Sequence, residues 1–240
     1  MRGFFLWILL AGLLTSGSLQ AADCVVVLHG MARTAVGMAP VAGALEEAGF
    51  TVLNLDYPSR KEPIEALVGG IEKTVGGFAS GCGGRVHFVT HSMGGLVARA
   101  YLNKHPLPNL GRVVMLAPPN QGSEVADFLT ENSLTRVAYN GFSGPAGGQL
   151  VTRQDEALVK TLGPVTYPVG VIAGDRSVNL ILSWLLLPGA DDGKVAVSRT
   201  TVDGMADFIV MHTTHPFMMM NKDVQKQVVA FLKDGAFTRD

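Results

Sequence analysis

The chain has 240 residues, of which 48% are hydrophobic, and this is enough to bury one sizeable core. Its 19 Lys and Arg residues nearly balance its 20 Asp and Glu residues, and no block of like charge occurs. The composition therefore predicts a single domain and argues against nucleic acid as a partner, because such proteins carry a clustered basic surface.

The N-terminus has the order that is typical of a secretory signal: Met1 and Arg2, then the apolar "FFLWILLAGLL", then small and polar residues. As a helix this apolar run of about 11 residues spans about 17 Å, which is too short for a hydrocarbon core of about 30 Å. We expect residues 1–22 to be removed and residues 23–240 to form the domain. The mature protein is then expected in the periplasm or the medium.

Short apolar runs alternate with helical patterns along the chain. Helices are predicted for residues 40–50, for residues 61–78, and at the C-terminus, where Asn221 can cap a helix. The runs predicted to be buried strands are "CVVVLHG", "TVLNLDYP", "RVHFVTHS", "RVVMLAPP", "YPVGVIAG" and "DFIVMH". This alternation predicts an α/β fold with a mostly parallel central sheet that is covered by helices on both faces.

Two segments interrupt the alternation. Residues 119–165 combine a helical pattern with a Gly-rich stretch, and we interpret them as a lid-like or substrate-shaping insertion above the sheet. Residues 180–189, "LILSWLLLPG", are too short to span a membrane. They are expected either to line an acyl pocket or to form a buried helix.

A lone serine, Ser92, stands between a predicted strand and a predicted helix in "FVTHSMGGLVARAY". A tight turn there would project its hydroxyl above the carboxyl edge of the sheet, as a G-x-S-x-G turn does, although Thr90 takes the place of the first glycine. Gly94 and Gly95 would let the helix pass close to the strand. The alternative is that Ser92 only caps the helix.

The first strand ends in "LHGMAR" and offers groups that could stabilise a negative charge near Ser92. The loop after Gly30 can aim the backbone N–H of Met31 towards Ser92, and the N–H of Met93 follows the serine directly. The sequence therefore predicts a two-donor oxyanion hole. His29 and His91 flank these positions and are expected to support the turns.

These residues resemble the α/β-hydrolase family, and within it the small secreted bacterial lipases and esterases. The resemblance extends over nearly the whole mature chain and implies the α/β-hydrolase fold and a serine hydrolase. The segments that carry it are "LHGMART", "NLDYPSR", "THSMGGLVARAYL", "VVMLAPPNQGSE", "DDGKVAV" and "THPFMM", in the order that the family has.

The resemblance also implies which residues assist Ser92. The family order of serine, acid and histidine points to His215, in the loop before the last helix, as the base. Asp192 in "PGADDGKVAV" resembles the family's acid segment, and Asp175, which follows an apolar strand, is the alternative acid. One of the two carboxylates must face the far nitrogen of the imidazole.

Cys24 and Cys82 are the two cysteines, and each precedes an apolar strand. In an oxidising compartment they are candidates for one disulfide, because neighbouring parallel strands would bring the strand starts together. Two unpaired buried thiols are the alternative.

The sequence thus predicts an esterase or lipase that acts on a small ester or lipid, works as a monomer, and touches a lipid surface only transiently. No cofactor is expected, and the cysteines and histidines do not have the spacing of a metal site. The alternatives are an acyltransferase or thioesterase with the same triad, and a non-catalytic binding module on the same fold.

Overall fold

The computed structural model describes residues 21–178 and 180–239; the side chain of Leu182 is also outside the description. Residues 1–20, most of the predicted signal segment, therefore lie outside the described residues. No helix of the described ranges is long and apolar enough to cross a membrane.

Six parallel strands form one sheet in the order β2, β1, β3, β4, β5, β6. Every strand that the sequence predicts is present, although the two edge strands of the sheet are only partly buried. The strands are β1 Cys24–Leu28, β2 Thr51–Leu55, β3 Val86–His91, β4 Leu110–Leu116, β5 Val169–Gly174 and β6 Asp207–Met211.

Helices cover both faces of the sheet, as predicted. Helices α2, α3 and α6 pack on one face, and α1 and α9 pack on the other. The helices are α1 Ala35–Glu47, α2 Ile64–Ser80, α3 Met93–Lys104, α4 Glu124–Glu131, α5 Ser133–Ser143, α6 Glu156–Leu162, α7 Leu180–Leu186, α8 Val197–Thr200 and α9 Lys222–Asp234.

Two predicted helix starts have different outcomes. In α9 the side chain of Asn221 accepts hydrogen bonds from the N–H groups of Asp223 and Val224, as expected for a cap. Helix α1 begins at Ala35, ahead of the predicted residue 40. Its first N–H donates to the carboxylate of Asp56 at 2.9 Å, so a distant residue supplies the cap.

The segment 119–165 is not one unit. Helices α4 and α5 and the short 3₁₀ helix Pro145–Leu150 pack together beyond the carboxyl edge of the sheet. Helix α6 instead packs against α3, and its Leu158 and Leu162 are buried in the core. Only the first part of the segment can therefore shape a site at that edge.

Both expectations for residues 180–189 are wrong. Helix α7 lies on the surface, where Leu180, Ile181 and Trp184 are between 73% and 83% exposed. It rests against α4, and none of its described side chains lines the pocket that contains Ser92.

The cysteines form a disulfide, with the Cα atoms of Cys24 and Cys82 6.1 Å apart. Cys24 starts β1, and Cys82 follows α2 just before β3, which pairs with β1. The bond therefore lies at the edge of the sheet opposite the carboxyl ends of the strands.

Replacing both cysteines by serine is expected to lower the free energy of unfolding by about 4 kcal/mol, because the bond closes a loop of 58 residues in the unfolded chain. Urea unfolding followed by circular dichroism measures the change. Reduced wild-type protein is the control and should unfold at nearly the same urea concentration as the variant. An unchanged midpoint in both would contradict the prediction.

Candidate active site

Ser92 lies at the junction of β3 and α3 with a backbone φ of +53°, a conformation that residues with a side chain rarely adopt. The helix that follows presses against the end of β1. A Cβ atom on Gly94 would lie 2.6 Å from the carbonyl oxygen of His29 and 2.7 Å from that of Leu28. Glycine is needed there because no other residue permits this approach.

The hydroxyl of Ser92 does not cap α3. Its side chain makes no capping hydrogen bond to the helix, although it occupies the cap position. Instead, its Oγ lies 3.0 Å from Nε2 of His215. The interpretation of Ser92 as a helix cap is therefore wrong.

His215 connects Ser92 to Asp192. Its Nδ1 lies 2.6 Å from Oδ2 of Asp192, whose side chain is fully buried. The other carboxylate oxygen accepts hydrogen bonds from the N–H groups of Lys194 and Val195 at 3.0 and 2.9 Å. With a carboxylate at Nδ1, that nitrogen carries the proton, so Nε2 accepts from the Ser92 hydroxyl.

Asp175, the alternative acid, pairs with a different histidine. Its Oδ1 lies 2.7 Å from Nδ1 of His212, whose side chain is 66% exposed. The structure therefore brings Asp192, and not Asp175, to the imidazole that contacts Ser92.

The predicted oxyanion donors lie on either side of Ser92. Met31 lines the pocket that contains the serine, and Met93 begins α3. Outside the helices and strands, no hydrogen bond of the described residues uses the N–H of either methionine. Ala32 has a φ of +54°, so the loop after β1 turns sharply at this point.

His91 has a role that sequence reasoning missed. Its Nε2 donates to the carbonyl oxygen of His215 at 3.1 Å, so it holds the loop of His215 rather than only the serine turn. Burial, and then the charges of His215 and Arg33, lower the pKa of His91 well below its usual value. The imidazole is therefore neutral, and because Nε2 carries the proton, Nδ1 carries none. His91 is next to Ser92 in sequence, but its bond spans 124 residues, which no local pattern shows.

A pocket of about 410 Å³ opens at Ser92 and His215. Residues 119–150 form much of its wall. This part of the chain therefore lies where the predicted substrate-shaping insertion is expected. The apolar side chains that line it are Met31, Ala32, Pro119, Val125, Ala126, Leu129, Tyr139, Phe142, Leu150, Val195 and Pro216. Among the described residues, no cluster of three His, Cys, Asp or Glu side chains could hold a metal ion.

The sequence model of the alpha/beta hydrolase family matches residues 25–224, which contain every residue of this site. The chain belongs to the alpha/beta hydrolase family. The expected fold class is thereby confirmed. No curated protein matches the sequence.

Solved structures of hydrolases are similar in fold at low sequence identity. A Bacillus licheniformis lipase in mature form has a TM-score of 0.64 and 18% identity, over 83% of this chain and 87% of that one. A Legionella pneumophila phospholipase has a TM-score of 0.62 and 16% identity, over 89% and 57%. A metagenomic carboxyl esterase has a TM-score of 0.62 and 17% identity, over 82% and 65%. At these identities the likeness concerns the fold alone.

The neutral, buried state of His91 predicts that acid destabilises the protein. Below a pH of about 6.5 the unfolded chain binds a proton at His91 and the folded chain does not, so the free energy of unfolding falls as the pH falls. The limiting slope for one such residue is about 1.4 kcal/mol per pH unit. His29 and His87, whose pKa values burial also lowers, act in the same direction.

Urea unfolding between pH 7 and pH 5 measures this slope, and a His91→Gln variant is the comparison. Glutamine keeps a donor for the carbonyl oxygen of His215 and cannot titrate. The variant is expected to lose stability less steeply than the wild type as the pH falls. Equal slopes would mean that the pKa of His91 is the same in the folded and the unfolded chain.

Proposed function

We propose that the protein is a serine hydrolase that cleaves carboxylic esters, with Ser92 as nucleophile, His215 as base and Asp192 as the acid that orients it. The single observation that carries the proposal is the chain of contacts from Ser92 Oγ through His215 to buried Asp192, at 3.0 and 2.6 Å. An unassisted serine hydroxyl is a poor nucleophile, and these contacts supply the base and the orienting group that it needs.

In the proposed reaction, Nε2 of His215 takes the proton of Ser92 while Oγ attacks the ester carbonyl. Asp192 keeps the other imidazole proton on Nδ1 and balances the charge of the imidazolium. His215 then gives its proton to the leaving alcohol, which leaves an acyl group on Ser92. Water, deprotonated by His215, releases the acid and restores the serine.

The N–H groups of Met31 and Met93 are proposed to stabilise the oxyanion of both tetrahedral intermediates. The strained turn at Ala32 and the N-terminal position of Met93 on α3 support this role, because both present backbone donors next to Ser92. The apolar pocket wall favours an acyl chain in the site. The lipase, phospholipase and carboxyl esterase with the same fold support ester hydrolysis as the reaction class.

We also propose that the protein is exported, after removal of residues 1–22. The Cys24–Cys82 disulfide supports this, since such bonds persist in oxidising compartments.

Hydrolysis of p-nitrophenyl esters of increasing acyl length tests the proposed triad. Ser92→Ala and His215→Ala are expected to lower kcat by at least about a thousandfold, because the nucleophile and base act as a unit. Asp192→Asn is expected to lower it by about a hundredfold or more, because the imidazole loses its orienting anion.

Asp175→Asn is the matched control and should keep nearly full activity, since Asp175 contacts His212. A fluorophosphonate probe should label the wild type at Ser92 and fail to label Ser92→Ala. A folded wild type that neither hydrolyses any ester nor reacts with the probe would favour a non-catalytic binding role instead.

Gly30→Ala tests whether the loop after β1 must lie close to the nucleophile. The added Cβ would lie 3.0 Å from Cβ of Ser92 and 3.1 Å from Nδ1 of His91, so the loop or these neighbours must move by a few tenths of an ångström. We expect kcat to fall about a hundredfold, as when one oxyanion donor is lost, with the fold retained by circular dichroism. Gly37→Ala is the control, because nothing lies within 4 Å of its added Cβ. Full activity of Gly30→Ala would contradict the prediction that this loop must stay close to the nucleophile.

A further inference from the structure

Two cationic side chains line the pocket from different parts of the chain. Arg33 lies two residues after Met31, in the loop that follows β1, and Lys194 lies two residues after Asp192, between α7 and α8. Arg33 follows β1, which neighbours β3 on one side. Lys194 is hydrogen-bonded to Asp192, which contacts His215 after β6, on the other side of β3, so the two cations are attached on opposite sides of Ser92. No Asp or Glu side chain of the described ranges lines this pocket.

The backbones that carry these cations are held in place. The N–H of Lys194 donates to Asp192, and its carbonyl oxygen accepts from the hydroxyl of Ser123 at 2.6 Å. The N–H of Arg33 donates to the carbonyl oxygen of Gly30 at 3.3 Å. The charged groups are therefore attached to fixed points beside the catalytic residues, while both side chains remain exposed.

Neither cation takes part in an ion pair between described residues. Asp56 lines a neighbouring depression together with Arg33, but it does not line the pocket of Ser92, and its Oδ1 accepts the first N–H of α1. The lining of the Ser92 pocket thus combines apolar side chains with two cations that have no ion-pair partner among the described residues.

We propose that the preferred substrates are esters that carry an anionic group, a phosphate or a carboxylate, next to the scissile bond. This rests on the proposed ester hydrolysis. The apolar wall takes the acyl chain, and Arg33 and Lys194 attract the anion from two sides. A neutral ester of the same size gains only the apolar contacts, so the cations discriminate between the two.

Two matched substrate pairs, each with an anionic and a neutral member, test the proposal. The carboxylate pair is 4-butyryloxybenzoate and its methyl ester. The phosphate pair is dihexanoylphosphatidylglycerol and 1,2-dihexanoylglycerol, which has the same two ester groups and no phosphate, both as monomers below the concentrations at which they aggregate. For each pair the measured quantity is the ratio of kcat/KM for the anionic member to that for the neutral one. The reactivity of the leaving group is the same for wild type and variant, so it cancels when their ratios are compared.

Arg33→Gln and Lys194→Gln are each expected to lower the ratio about fivefold, the effect of one exposed ion pair, and to change kcat/KM for the neutral member less than about twofold. Raising the salt concentration should lower the wild-type ratio and leave that of the double variant nearly unchanged, because salt screens exposed charges. Lys73→Gln, an exposed cation away from the pocket, should leave the ratio unaltered.

The outcomes distinguish the two sources of the anion, and they distinguish failure of this proposal from failure of the proposed ester hydrolysis. A reduced ratio only in the phosphate pair identifies a phospholipid headgroup, and only in the carboxylate pair a free carboxylate. An equal loss for anionic and neutral members overturns the proposal, because the cations then act on the oxyanion itself. An unchanged ratio in both pairs also overturns it, while hydrolysis of the neutral esters would still support the esterase. Failure to hydrolyse any ester would instead remove the proposed function.

Discussion

The backbone of Ser92 is the constraint on which the arrangement at the sheet edge depends. A non-glycine residue with φ near +53° costs on the order of 1–3 kcal/mol, and it persists only where the surroundings leave no alternative. Here β3 is held between two parallel neighbours, and α3 is pressed against the end of β1 at Gly94. The backbone must change direction at this one residue, so the hydroxyl of Ser92 points away from the helix and towards His215.

The partners of Ser92 are held by the backbone as much as by side chains. Asp192 is buried with hydrogen bonds to both oxygens, which offset the cost of removing a carboxylate from water. His215 is held at three points: its N–H donates to the carbonyl oxygen of Asp192, its carbonyl oxygen accepts from His91, and its ring contacts the carboxylate. The imidazole therefore has little freedom to rotate away from the serine, which is the preorganisation that acid–base catalysis requires.

Local patterns in the sequence were sufficient for the strands, for helix α9 and for the family. Buried parallel strands are continuous apolar runs, Asn221 is a cap that acts on its own helix, and the family segments place Ser92, Asp192 and His215 in chain order. The choice of Asp192 over Asp175 came from the resemblance, since both follow plausible turns; the structure gives Asp175 a partner of its own in His212.

What the sequence left out depends on contacts between distant residues. The start of α1 needs Asp56, which is 21 residues further along the chain, and the support of His215 needs His91, 124 residues earlier. The prediction for residues 180–189 fails because an apolar run indicates burial only if another layer covers it, and α7 leaves Leu180, Ile181 and Trp184 exposed. The end of the insertion was misplaced for a similar reason, since only packing against α3 assigns α6 to the core.

The exposed position of α7 has an optical consequence. The chain has two tryptophans, Trp7 in the segment proposed to be removed and Trp184 on α7, where it is 83% exposed. The intrinsic tryptophan fluorescence of the mature protein would then arise from one indole on one surface helix. Unfolding would change its emission little, because the indole is already in water, whereas a molecule that covers α7 would shift the emission to shorter wavelength.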